Sequence, residues 1–133
     1  MSTDSLKLTA VFSAPPARVF RAWTSATEHA AFTEAEATFE ARVGGKHAAW
    51  DGYISGTVLE LDPPKRVVLA WRTTEFPEDA GDSRVELRFT PEGAGTKVEI
   101  AHDDIPAGQG VRYEKGWEDF YFGPLRAYLA DNG

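Results

Sequence analysis

The stretch VRYEKGWEDFYFGPLRAYLA, residues 111–130, decides the fold. Tyr113, Trp117, Phe120, Tyr121, Pro124, Leu125, Tyr128 and Leu129 recur in it at helical spacing. The pattern predicts one helix of about 20 residues with a broad aromatic face. Gly123-Pro124 is expected to bend it, because proline lacks the N–H of one helical hydrogen bond and its ring meets the preceding turn. So wide an apolar face must be covered by another layer.

Working outward, the preceding residues supply a sheet. Val85, Leu87 and Phe89 alternate with Arg84, Glu86 and Arg88 in the cleanest strand, 83–90. After the turn Glu92-Gly93-Ala94-Gly95, residues Thr96, Val98, Ile100 and His102 alternate with Lys97, Glu99 and Ala101. A strand over 66–74 carries Val67, Leu69 and Trp71 on one face. Residues 53–62 form another, where Gly56 marks a bulge or a close approach. Asp51-Gly52 signals a hairpin turn after a short strand over 46–50. Residues 35–42 are weakly patterned and read as an edge strand. At the start, Leu6, Leu8, Ala10 and Phe12 share one face of a strand. Pro15-Pro16 ends it and opens a helix over 16–23 with Val19, Phe20 and Trp23 on one side. Ser25 and Glu28 form a capping-box signature for a second short helix, 25–31. The expected class is α+β: an antiparallel sheet of about six or seven strands, wet outside and roofed inside by the C-terminal helix.

A helix across a curved sheet can leave space beneath it or fill it. Trp50, Trp71, Phe89, Trp117, Phe120 and Tyr121 are the candidate lining of a pocket, and equally the candidate contents of a solid core. The outer face, with Arg84, Arg88 and Lys97 beside Glu86 and Glu99, is expected to carry cross-strand charge pairs.

Composition narrows the functions. The 133 residues predict one domain, spanning 1–133. With no cysteine there is no disulfide, thiolate nucleophile or cysteine metal site. A net charge of −7 argues against non-specific nucleic-acid binding. The apolar runs are too short for a membrane span, and Met1–Leu8 has no signal core, so a cytoplasmic location is expected. His29, His47 and His102 lack metal-ligand spacing, so no metal or cofactor is expected.

The order of several short pieces resembles a known family. They are Ala14-Pro15-Pro16-Ala17-Arg18-Val19-Phe20-Arg21-Ala22-Trp23-Thr24, Gly44-Gly45-Lys46, Trp50-Asp51-Gly52-Tyr53-Ile54-Ser55-Gly56, Pro63-Pro64-Lys65-Arg66-Val67, Gly95-Thr96 with His102, and Gly116-Trp117. Together they resemble the C-terminal domain type of activators of the heat-shock protein 90 ATPase, within the START and birch-pollen-allergen-like superfamily. The resemblance covers about Leu6 to Leu129. It implies the helix-grip fold, a partial cavity under the long helix, and a stress-related role with a chaperone as partner. Two departures stand out. Thr27-Glu28-His29-Ala30-Ala31-Phe32 lacks a proline common in the family, which bears on the pocket mouth. The eukaryotic co-chaperone has a further N-terminal domain for which these residues leave no room, so its full activity is not expected.

The candidate chemistry is sparse. His102, in phase with Val98 and Ile100, is either a polar anchor or acid–base group in the pocket, or a satisfied strand-end histidine. His47 reads as an exposed edge residue and His29 as a solvated one. Glu75, Glu78, Asp79 and Asp82 form an acidic loop expected to be a mobile lid. There is no nucleophile elbow or phosphate cradle. Three functions follow: a binder of a small apolar molecule such as a lipid, sterol or aromatic polyketide; an interaction module for a chaperone ATPase; or a cyclase, dehydratase or hydrolase using His102 with Tyr53 or Tyr113. The two Trp-bearing strands could also support a homodimer.

Overall fold

The computed structural model describes residues 3–132. Seven strands form one antiparallel sheet: β1 (Thr3–Phe12), β2 (Thr38–Phe39), β3 (Lys46–Ala49), β4 (Ile54–Asp62), β5 (Arg66–Thr73), β6 (Ser83–Glu92) and β7 (Gly95–Pro106). The spatial order is β1-β7-β6-β5-β4-β3-β2. The chain thus runs β1 to one edge, crosses through two helices to the other edge, and meanders back. Helices α1 (Pro16–Thr24) and α2 (Ala26–Thr33) make that crossing. The C-terminal layer is α3 (Gly110–Trp117), a π-helical turn (Glu118–Phe122) and α4 (Gly123–Asn132). This is the α+β helix-grip arrangement expected from the sequence.

Alternation places Val85, Leu87, Phe89, Val98 and Ile100 inside, each at most 2% exposed. Outside, Arg66 binds Glu60 and Glu86 at 2.5 Å each, and Arg88 reaches Glu86 at 2.9 Å. Arg88 and Glu60 are exposed, and their pairs add solubility and register more than stability. Ser25 caps α2 as expected, its hydroxyl accepting from the Glu28 N–H at 3.3 Å.

Gly56 is a close approach rather than a bulge. The register shift of β4 falls later, between Val58 and Glu60. A Cβ on Gly56 would lie 1.8 Å from the Ala70 carbonyl oxygen and 2.7 Å from His47 Nε2. The missing side chain lets the His47 imidazole cross β4 and donate to that carbonyl at 2.8 Å.

The C-terminal helix is irregular just before the expected bend. Pro124 cannot donate to the carbonyl of Phe120. The preceding turn widens, and the Gly123 N–H reaches back five residues to the Glu118 carbonyl. Trp117, Tyr121, Leu125 and Leu129 all face inward at i+4 spacing. In an α-helix each such step over-rotates by about 40°. The wide turn absorbs that drift, and Phe122 is buried as well, edge-on to Phe12 at 5.9 Å.

Asp4, on β1, fixes where this layer begins. One carboxylate oxygen accepts the N–H of Gly108 and of Gly110, both at 2.9 Å. It does the work of an N-cap for α3 from a strand more than a hundred residues away. No helix among the described residues is long and apolar enough to cross a membrane.

Candidate functional site

Beneath the C-terminal layer the space is largely filled. Trp71 of β5 meets Trp117 at 5.5 Å, and Tyr121 stacks on Trp23 of α1 at 5.0 Å and 16°. A void of about 10 Å³ remains among Trp23, His29, His47 and Tyr121. The open space lies to one side. A cavity of about 410 Å³ opens between Trp50, Tyr53, Ile54 and Trp71 on the sheet side and Tyr113, Gly116, Trp117, Phe120 and Tyr121 on the helical side, with Arg112 at its rim. Its volume lies within the usual range for small-molecule sites.

Five of the seven expected pocket residues line it: Trp50, Trp71, Trp117, Phe120 and Tyr121. Phe120 is 56% exposed, turned from the sheet toward the mouth, where it meets Trp50 edge-on at 5.5 Å. Phe89 is not in the lining. Its strand position lies under α1, and it packs on Phe20 at 5.2 Å. His102 is not in the lining either. It sits behind Trp71, ring centroids 4.7 Å apart.

Both nitrogens of His102 are engaged. The Trp117 indole N–H donates to Nδ1 at 3.1 Å, so that nitrogen carries a lone pair. The proton is therefore on Nε2, which donates to the Ser83 hydroxyl at 2.9 Å; Ser83 in turn donates to the Trp71 carbonyl at 2.7 Å. A second proton would have to face the Trp117 N–H. Burial pushes the pKa down to about 3. His102 is a neutral strut between sheet and helix. Its one lone pair is taken by the Trp117 N–H.

His29 corrects another expectation, for it is 5% exposed rather than solvated. Its Nδ1 lies 2.8 Å from the Trp23 carbonyl, which only accepts, so Nδ1 holds the proton. Nε2 then accepts from the Tyr121 hydroxyl at 3.0 Å. Burial lowers the His29 pKa to about 4 and raises that of Tyr121. His47, also expected at the surface, is 6% exposed, and burial lowers its pKa too. Sequence signals for these sites existed. His29, Phe32 and Thr33 share the i, i+3, i+4 face of α2, and His47 is in strand phase with buried Ala49.

Tyr53 and Tyr113 do face the cavity. Tyr53 donates to the Glu75 carboxylate, and burial together with that bond pushes its pKa up to about 12. Tyr113 donates to Gln109 Oε1 and pairs with the Thr73 hydroxyl, both at 2.7 Å. Burial also raises its pKa. Both remain protonated near neutral pH. Trp50 has φ +55°, a left-handed conformation rare for a bulky side chain. Its indole nitrogen is buried without a hydrogen-bond partner among the described residues. The same N–H nonetheless favours the ionised Tyr121 oxygen, opposing the upward push of burial.

The acidic loop is anchored rather than loose. Arg72 donates to the Ala80 carbonyl at 3.0 Å, the Pro77 carbonyl at 3.2 Å and Asp82 at 2.9 Å. Phe76 plugs the loop into the core against Trp71 and Tyr113. Trp71 is likewise buried within the chain.

Comparison with known proteins agrees with this geometry. The family described as "Activator of Hsp90 ATPase homolog 1-like protein" matches residues 13–130. The chain is 33% identical over 120 residues to the human "Activator of 90 kDa heat shock protein ATPase homolog 1", covering 90% of this chain and 35% of that protein. A Dictyostelium discoideum activator homolog is 30% identical over 118 residues, covering 88% of this chain and 30% of that one. The chain thus spans about a third of the length of these relatives. Among solved structures, an HSP90 activator from Plasmodium falciparum superposes with TM-score 0.88 at 26% identity, covering 95% of this chain and 96% of that chain. CalU16 from Micromonospora echinospora superposes with TM-score 0.75 at 29% identity, covering 96% of this chain and 79% of that chain.

Proposed function

The chain belongs to the activator of Hsp90 ATPase homolog 1-like family, and from that premise and its aromatic cavity we propose that it binds a small apolar, ring-containing molecule. The supporting observation is the cavity of about 410 Å³ walled by three tryptophans, three tyrosines and Phe120. Flat aromatic walls favour flat ligands, by apolar burial and by ring-on-ring contact. Calorimetric titration with two- and three-ring aromatic compounds tests it. Gly116 lines the cavity, and a Cβ there meets only Phe120 Cδ2, at 3.8 Å. Gly116→Leu is therefore a plug. Binding to the wild type that is lost in a folded plugged variant supports the proposal; no binding to either overturns it.

A second reading is favoured by the relatives' names. The human protein, 33% identical to this chain, is named "Activator of 90 kDa heat shock protein ATPase homolog 1". In that reading this domain contacts the chaperone and changes its ATPase rate. The rate measured with and without this protein tests it. An unchanged rate with no complex on a sizing column rejects it.

A further inference from the structure

The rim of the cavity carries a self-satisfied charge. Arg112, in the first turn of α3, pairs with the Glu75 carboxylate. Tyr53, from the turn between β3 and β4, donates to the other oxygen of the same carboxylate. Arg112 and Tyr53 belong to the cavity wall. Glu75 does not, and it reaches them from the loop between β5 and β6. We propose that an apolar carboxylic acid is the ligand class of this cavity, its carboxylate replacing Glu75 on Arg112 and Tyr53. This rests on the ligand-binding reading above and adds the chemistry of the polar end.

Three observations carry it. First, the wall's available polar groups are donors. They are the Arg112 guanidinium and the Tyr53 hydroxyl. No carboxylate stands in the lining, so the cavity asks for acceptor oxygens. Second, the present occupant is cheap to displace. Arg112 and Glu75 are 49% and 44% exposed, and such pairs contribute little because water screens them. A ligand carboxylate on the same guanidinium, with its rings burying the rim, meets less water and binds more strongly. Third, displacement requires only a side-chain rotation. The Glu75 backbone is held by its N–H donating to the Thr73 hydroxyl at 3.1 Å and by its carbonyl accepting from Gln109 at 3.1 Å. Its neighbour Phe76 is 6% exposed and fixes the loop. The carboxylate swings out and the loop stays.

The experiment compares anthracene-2-carboxylate with its neutral carboxamide, which has the same rings and volume. Affinities are measured by titration calorimetry on the full chain and on Glu75→Gln and Arg112→Met, both at exposed positions, with melting curves to confirm folding. The acid is expected to bind about tenfold tighter than the amide in the wild type. Glu75→Gln should raise the acid-to-amide ratio, because the internal competitor is gone. Arg112→Met should bring the ratio close to one. Equal affinities for acid and amide, unmoved by either substitution, would refute the carboxylate proposal while leaving ligand binding intact. Failure of both compounds to bind would reject both proposals together.

Discussion

Lowering the pH from about 7 to about 5 should cost the folded protein about 4 kcal/mol. In the unfolded chain His29 and His102 titrate near the ordinary 6.5, whereas burial pushes them down to about 4 and about 3 in the fold. Between those values the unfolded chain binds more protons, so stability falls as the pH falls. At 1.36 kcal/mol per pH unit, each histidine contributes about 2 kcal/mol of loss by about pH 5. His47, also lowered by burial, adds to the loss with the same sign. Glu28 and Glu86 are lowered from 4.5, so their losses come at lower pH and leave this window to the histidines. A loss of this size is a large fraction of a typical domain stability of about 5–15 kcal/mol. Urea unfolding at several pH values reads it directly, provided the slope with denaturant stays constant. Equal stability at the two pH values, or imidazole NMR signals titrating near 6.5 in the folded protein, would refute the assignment of neutral buried histidines.

Gly56→Ala should destabilise by about 3 kcal/mol or more, since overpacking here meets backbone rather than a yielding side chain. The contact is 1.8 Å to the Ala70 carbonyl, and a urea midpoint checks the loss. Asp4→Ala should cost about 1–2 kcal/mol through the lost cap of α3, while Asp4→Asn, which keeps an acceptor oxygen, should retain most of that. The same unfolding assay separates the two.

The fold was legible because its signals are periodic. Val85, Leu87 and Phe89 alternate, and Ser25 with Glu28 announces a cap. Pro124 announced a departure from regular helix, and the π turn sits directly before it. Trp71, Trp117 and Tyr121 meet in the cavity for the same reason, since strand and helix phase aim them inward, whereas Trp50 comes from a turn and Phe120 reaches the cavity from its mouth. What the sequence hid depends on position across the sheet rather than on phase. Phe89 has the right phase but faces α1, as its contact with Phe20 shows. His102 has the right phase but is screened from the cavity by Trp71. His29 and His47 looked polar, and their burial is made tolerable by partners the sequence does not show: the Trp23 carbonyl and Tyr121 hydroxyl for His29, and the Ala70 carbonyl for His47. The rim was the least legible part. Tyr53, Glu75 and Arg112 come from three distant segments, and no local pattern brings them together.

The four tryptophans offer the most direct test of the cavity as a binding site. Trp50, Trp71 and Trp117 line it, and Trp23 lies outside the lining. In protein labelled with nitrogen-15, each indole N–H gives its own NMR signal. Titration with an anthracene ligand should move the signals of Trp50, Trp71 and Trp117 and leave that of Trp23 nearly still. Four unmoved signals, or four moving alike, would contradict the account.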